Sequence, residues 1–448
     1  MSKKVFMQSL GCPKNLVDSE VMLGGLITDQ YEVTRDPEEA DLLLINTCGF
    51  IQPAVEEGID EILQLAEVKK NGSGKRLVVT GCLVQRYGAD LQKQLPEVDL
   101  FIGTEGFHNI ALELAKLDKE PQEEVKIEQP SFLMDSIIPR TISTPAHRAY
   151  LKITEGCNNR CSYCLIPSLR GDLRSRKIED LVCEAKLLGS TGIKELSLIA
   201  QDLTAYGVDF GKDGSRLDEL LKALLNGCDI PWLRMLYLYP VRVNEKLLEL
   251  VANNSRILPY FDIPLQHISE KIIKKMNRPY RQQDVYEVID KIRTKLPEAA
   301  MRTTFMVGFP GETEKDVIEL ENFIREQQFS HVGIFTYSNE DGCAAQKLPD
   351  HCLEEVKLER RERLMEVQSE ISREINQKYV GRTEKVLVEG LSSESDLLLE
   401  GRTKYQAPDI DGCVYITSGD CTAGDILDIK ITEAHHYDLV GEMVEKVS

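Results

Sequence analysis

No long apolar run occurs in the 448-residue sequence. Its longest aliphatic stretches, such as Leu42 to Ile45, fall far short of the roughly 20 residues that cross a bilayer, so no membrane span is expected. Eighteen prolines and 30 glycines are too few for a collagen-like or wholly disordered chain. Tryptophan is almost absent, and the single Trp232 reads as core. Basic residues are in deficit, 54 against 74 acidic ones, for a net charge of −20. Such a surface repels phosphate backbones and attracts cationic partners, which makes nucleic acid a poor first guess unless a local basic patch overrides the total. No export signal is expected: Met1 to Gly11 carries two lysines but too short an apolar stretch. The cytoplasm is the expected compartment.

What is present is a soluble-type composition, 42% hydrophobic and 29% charged, long enough for about three domains at roughly 150 residues each. Twelve cysteines stand out. Without a secretory context they read as metal ligands or small buried hydrophobes rather than as a disulfide framework.

Residues 1–118 alternate apolar runs with amphipathic stretches. Strands are expected at Val5 to Leu10, Leu42 to Asn46, Leu77 to Thr80 and Val98 to Ile102, with helices near 15–28, 52–70 and 85–95. That alternation is the mark of a parallel α/β domain. A linker is expected over 119–147, a polar stretch containing Pro121, Pro130, Pro139 and Pro145. In 148–340 the alternation resumes, with strands at Ala149 to Thr154, Glu195 to Ala200, Leu233 to Tyr239, Tyr260 to Ile263, Arg302 to Val307 and His331 to Tyr337. Right-handed crossovers would curl these six into an open (β/α)6-type barrel or a strongly twisted sheet. A connecting helix is expected within 351–378, where Leu364, Val367, Ile371 and Ile375 form one stripe. Over 380–448 five short strands (Val386 to Glu389, Leu397 to Glu400, Val414 to Thr417, Ile426 to Ile431, Leu439 to Val444) suggest a small closed antiparallel β-barrel. This tail is acidic, with 14 acidic against 6 basic residues.

The sharpest motif is Cys157-Asn-Asn-Arg-Cys161-Ser-Tyr-Cys164, after the first strand of the middle domain. Three thiolates so spaced on an irregular loop can converge on one soft metal centre. A structural zinc site wants four ligands, and the nearest further candidates, His147 and Cys183, are poorly placed. A cubane iron–sulfur cluster held by three cysteines keeps one iron open to a substrate or cofactor. The bland alternatives are a zinc loop or three incidental cysteines. Further on, Gly308-Phe-Pro310-Gly311-Glu312-Thr313 joins an apolar strand to a helix, and its glycines permit close approach of a ligand, although such a turn is often only a tight loop. Gln201 and Asp202 end another strand; they either face the same cavity or cap the next segment.

The Cys-x3-Cys-x2-Cys motif with Tyr163 before its last cysteine resembles the radical S-adenosylmethionine superfamily. The resemblance implies a 4Fe–4S cluster on Cys157, Cys161 and Cys164 whose open iron binds S-adenosylmethionine. It also implies that Tyr163 lines the adenine, with a core aromatic as the rival reading. The cofactor contacts it suggests are Tyr163, Gln201, Gly308, Pro310, Gly311 and Glu312.

Cys12, Cys48 and Cys82 are 36 and 34 residues apart, too far for a local motif. Each lies just beyond an expected strand and adjoins a glycine: Leu10-Gly-Cys12, Asn46-Thr-Cys48-Gly49, Thr80-Gly-Cys82. The carboxyl ends of parallel strands share one edge, so these thiols are expected to meet there and hold a second open-iron cluster. The alternative is three small residues packed under loops.

In that order, amino-terminal triplet, radical triplet and small barrel resemble the methylthiotransferases across essentially the whole chain, with the barrel similar to the TRAM domain. Leu10-Gly-Cys-Pro-Lys-Asn-Leu-Val-Asp-Ser-Glu20 resembles the branch called RimO, whereas the transfer-RNA branch has Gln-Met in place of Pro13-Lys14. Tyr239-Pro240, Asp262-Ile-Pro-Leu-Gln-His267 and Arg302 to Glu312 match the same pattern; Cys343, where threonine is expected, departs from it. The resemblance implies methylthiolation of the β-carbon of an aspartate in small-subunit ribosomal protein number twelve. It further implies two 4Fe–4S clusters, S-adenosyl-L-methionine and a low-potential electron donor. Transfer RNA is the rival substrate, and a non-enzymatic electron carrier is the rival class. Charge points the same way: an acidic barrel attracts a basic ribosomal protein and repels transfer RNA, within a screening length of about 8 Å. Cys183, Cys228, Cys343, Cys352, Cys413 and Cys421 lack a comparable context and read as structural, while His267 has a cavity-facing and a packing role equally open to it.

Overall fold

In the computed structural model, residues 2–72, 74–119, 124–211, 216–392, 394–395 and 398–444 are described. Met1, Pro121, Leu397 and 445–448, each part of an expectation above, lie outside them. The amino-terminal stretch runs β1 (Lys3–Ser9), α1 (Pro13–Thr28), β2 (Tyr31–Val33), β3 (Leu42–Thr47), α2 (Gln52–Asn71), β4 (Arg76–Gly81), α3 (Cys82–Gln94), β5 (Leu100–Ile102), α4 (Ile110–Lys119) and β6 (Glu124–Lys126). The middle runs β7 (Arg148–Lys152), β8 (Thr154–Glu155), α5 (Ile166–Arg170), β9 (Arg174–Ser175), α6 (Ile178–Ser190), β10 (Glu195–Ile199), α7 (Leu217–Gly227), β11 (Trp232–Met235), α8 (Glu245–Ala252), β12 (Tyr260–Asp262), α9 (Glu270–Lys275), α10 (Gln282–Lys295), β13 (Ala300–Val307), α11 (Glu314–Gln327) and β14 (His331–Thr336). Then follow α12 (Glu354–Gln377) and β15 (Thr383–Leu391), β16 (Leu399–Thr403), β17 (Val414–Ile416), β18 (Ile426–Ala434) and β19 (Leu439–Met443).

Two compact units result. The first joins Met1–Ser143 with Lys152–Leu181 and Glu340–Cys343, and the second contains the rest. The stretch expected as one middle domain therefore contributes to both.

The first unit is built on a six-stranded sheet of order β2-β1-β3-β4-β5-β6, parallel throughout. Every residue of β3 is buried, as an inner parallel strand covered on both faces requires. Val55, Gly58, Ile62, Leu65 and Ala66 give α2 its buried face at helical spacing. β2 and β6 had no counterpart in the sequence reading. Both are three-residue edge strands without an apolar run, and β6, paired with β5, falls inside the expected linker.

In the second unit the middle strands form two three-stranded sheets, β11-β10-β7 and β12-β13-β14. A Leu233–Ile257 bridge and a 2.8 Å bond from the Leu238 N–H to the Asp262 carbonyl link them into one open arc. On α12, Leu364, Val367 and Ile371 are buried and Ile375 half-buried. The terminal strands close into a barrel of order β15-β16-β17-β19-β18. One seam departs from the expected antiparallel pattern: β17 and β19 pair parallel, because the chain crosses from β17 to β18 before returning to β19. Trp232 opens β11 and is buried, as expected.

A buried charge network holds this unit together. Glu195 accepts from Arg234 Nε at 2.6 Å and from Arg402 Nη2 at 2.9 Å, and Arg402 Nε also donates to Glu389 at 2.9 Å. Burial alone would raise the Glu195 carboxyl, but Arg234 and Arg402 outweigh it and hold it at about 2. Its stabilisation is complete above the ordinary carboxylate range and fades as pH falls toward that value. Replacing Arg402 by methionine leaves Glu195 with Arg234 alone and takes the closest cation from Glu389, and is expected to cost about 3 kcal/mol, read as a lowered denaturation midpoint.

Candidate functional site

Three neighbouring parallel strands deliver the first set of cysteines. Ser9 of β1 stands level with Asn46 of β3, and Asn46 with Thr80 of β4, so these carboxyl ends share one edge. Cys12 caps α1, whose first residue is Pro13, a residue preorganised for that position. Cys48 sits in the irregular segment after β3. Cys82 opens α3 directly, three residues before the helix expected near 85–95: Gly81, at φ 104°, turns the strand straight into the helix. Gly11, at φ 87°, leaves no room for a side chain, since a Cβ there would lie 2.8 Å from Cys48 Cβ.

The three thiols feel one another electrostatically: Cys48 senses Cys82 and Cys12, and Cys82 senses Cys12. Burial pushes the Cys48 thiol up to about 11, and burial also raises Cys82 against the pull of Arg170. All three are free thiols. Buried thiols of this kind give up their protons to a soft metal rather than to water. Among the described residues, no group of three or more His, Cys, Asp or Glu side chains gathers closely enough for one metal ion. A cubane cluster is wider than an ion, and thiols that surround it need not meet at a point.

The second set occupies an irregular loop whose ends are clamped. Thr154 and Glu155 of β8 pair antiparallel with Ser175 and Arg174 of β9. Within the clamp, the Cys157 N–H donates to the Gly171 carbonyl at 3.1 Å, the Leu173 N–H to Asn158 Oδ1 at 3.0 Å, and the Cys164 N–H to the Cys161 carbonyl at 3.1 Å. The loop thus runs between β8 and β9 rather than directly from β7. Burial pushes the Cys164 thiol up to about 12, with Cys161, Cys157 and Cys343 adding to it. Tyr163 is half-buried. Cys343, read from sequence as merely structural, packs with Cys82, Leu165 and Leu169. Both triplets and this seventh cysteine belong to the first unit.

In the second unit Gly308 and Gly311 of the Gly308–Thr313 turn have φ of 74° and 77°, and the space a Cβ would need at each is taken by Lys357 and Lys275, so both positions require glycine. Pro310 is buried. The Glu312 carboxylate turns inward: Oε1 accepts from the Gly308 N–H at 2.9 Å and Arg360 Nη1 at 2.8 Å, and Oε2 lies 3.5 Å from His267 Nε2. Glu312 therefore locks the turn. His267 is wholly buried, its Nδ1 accepting from the Ile268 and Ser269 N–H groups at 2.9 Å each, which favours the packing role. Asp202 caps the next segment, accepting from the Ala205 N–H, while Gln201 beside it is half-buried.

Sequence reasoning missed a group of buried polar side chains around the cysteines. Asn15 Nδ2 donates to the carbonyls of Leu10 (3.2 Å) and Thr47 (3.0 Å), pinning the segments that carry Cys12 and Cys48. Asp18, Lys152, Glu155 and Arg170 are equally buried. Only their burial distinguishes them from solvated charges, and no spacing signals it.

Residues 4–103 match the model of Uncharacterized protein family UPF0004, residues 151–324 that of the Radical SAM superfamily, and residues 380–444 that of the TRAM domain. The chain is 54% identical over 98% of its length to the ribosomal protein uS12 methylthiotransferase RimO of Desulfotalea psychrophila, covering 99% of that protein. It is 46% identical to the RimO of Geobacter sulfurreducens, covering 99% of each. Among solved structures it resembles the radical S-adenosylmethionine methyltransferase TsrM of Kitasatospora setae (TM-score 0.55, 15% identity, 75% of this chain and 73% of that one). It also resembles the cobalamin-dependent S-adenosylmethionine radical enzyme OxsB (TM-score 0.54, 12% identity, 82% and 56%). These two show a shared fold.

Proposed function

The chain belongs to the ribosomal protein uS12 methylthiotransferase RimO family, and on that premise we propose that it is a radical S-adenosylmethionine methylthiotransferase acting on the β-carbon of an aspartate in ribosomal protein uS12. Identity of 54% sustained over 98% of the chain carries this reading.

Cys157, Cys161 and Cys164 are the residues to hold one 4Fe–4S cluster, and Cys12, Cys48 and Cys82 a second. The donor sets fit: each is three cysteines outside any disulfide, with Cys48 in one and Cys164 in the other held well above the ordinary thiol range by burial. When bound, cluster and S-adenosylmethionine supply the radical chemistry that replaces an unactivated C–H hydrogen. The chain's own residues then have three tasks. The β8–β9 clamp fixes the loop bearing the radical triplet, and the sheet edge with Gly11, Asn15 and Gly81 fixes the other triplet. Tyr163, next to Cys164 in the same loop, is the candidate to line S-adenosylmethionine. The apolar packing of Cys82, Cys343, Leu165 and Leu169 keeps water from the thiols beside it. A low-potential donor supplies the electrons. The acidic terminal barrel favours a basic protein substrate over an RNA.

Anaerobically reconstituted protein, given reductant and S-adenosylmethionine, is expected to add a methylthio group to uS12 and not to transfer RNA, as read by mass spectrometry. A gain on RNA alone would overturn the protein substrate.

A further inference from the structure

Asn15 Oδ1 is a meeting point. Cys82 Sγ lies 3.9 Å from it, and Arg170 Nη2 donates to it. The amide orientation is fixed by its other end, where Nδ2 donates to two strand-end carbonyls. Arg170 is therefore a buried cation held against the amino-terminal thiols, its charge acting on both Cys48 and Cys82; it ends α5, the short helix that follows Cys164.

Around Arg170 the charges close on themselves. Asp18 takes Arg170 Nη1 on one oxygen and Lys152 Nζ on the other, both at 2.5 Å. Glu155 accepts from Lys152 at 2.7 Å and lies 3.6 Å from Arg170. The four side chains are between 2% and 9% exposed. Two cations and two carboxylates sum to zero. Removing the guanidinium charge would therefore place a net negative charge beside three thiolates, in surroundings that screen it poorly.

We propose that Arg170 is a positioning residue that sets the reduction potential of the cluster on Cys12, Cys48 and Cys82, its guanidinium being the fixed positive charge set against the added electron. The inference rests on the two-cluster reading above. A guanidinium suits the task because it stays protonated throughout, while its planar fork holds Asn15 and Asp18 at once. Nearby charge and hydrogen bonds are established levers on cluster potential.

The test is a potential-controlled EPR titration of the reconstituted full chain as parent, Arg170→Gln and Arg170→Lys. Added S-adenosylmethionine identifies the radical cluster's signal. In Arg170→Gln the reduced fraction of the amino-terminal cluster at fixed potential is expected to fall at least about tenfold, about 59 mV for a one-electron couple. Arg170→Lys, which keeps the charge, should restore most of that loss, and the radical cluster should move less. An unmoved midpoint in Arg170→Gln with full iron and sulfide overturns the inference. Should that variant hold no amino-terminal cluster, Asp18→Asn decides: removing an anion must shift the midpoint upward, and any other result overturns it. Parent protein carrying iron only at the radical triplet would instead overturn the two-cluster reading, and this inference with it.

Discussion

Alanine at Cys157, Cys161 and Cys164 together is expected to abolish cleavage of S-adenosylmethionine and to remove about half of the iron bound by the reconstituted chain, since a 4Fe–4S cluster depends on its thiolates. These three are the cysteines the loop itself carries, and the β8–β9 pair and the bonds from the Cys157, Cys164 and Leu173 N–H groups hold the loop without them. The triple replacement matters because Cys343 lies beside Cys164, so a single variant leaves a substitute thiol at hand. Iron quantification and release of 5′-deoxyadenosine measure the two effects. Surviving cleavage would remove these three cysteines from the chemistry.

Much of this arrangement was legible in the sequence because it depends on local spacing or on topology. Cys157 to Cys164 is a short-range pattern that needs only an irregular loop. Cys12, Cys48 and Cys82 became a group through the strand-Gly/Cys context and the rule that parallel strands end on one edge, and the register of Ser9, Asn46 and Thr80 places those ends level. What stayed hidden depends on long-range partners. β6 is a strand only because β5 pairs with it. The partners of Glu312, Arg360 and His267, lie 48 and 45 positions away in the chain, so the lock it forms on the glycine turn could not be read from the turn itself. Asp18 and Arg170 are 152 positions apart, and no periodicity announces that two charges will be buried together. Cys343 lacked a motif for the same reason, as its neighbours Cys82 and Leu165 are distant in sequence.

Alanine at Cys12, Cys48 and Cys82 together has the opposite signature: transfer to uS12 is expected to vanish while cleavage of S-adenosylmethionine continues within about tenfold of the parent rate, a barrier change of about 1.4 kcal/mol. The separation follows from how each set is held. The amino-terminal thiols hang from β1, β3 and β4, and their removal leaves the β8–β9 clamp and the Cys157–Cys164 loop with all their own hydrogen bonds. The buried Asp18–Lys152–Glu155–Arg170 group also survives, because none of its ion pairs uses a cysteine. Alanine fills nearly the volume of a buried cysteine, so the sheet edge is expected to keep its packing. The assay pairs 5′-deoxyadenosine release with mass spectrometry of uS12 in one incubation. Parallel loss of both products would mean that the triplets act as one centre, whereas persistence of both would leave the sheet-edge cysteines with packing alone.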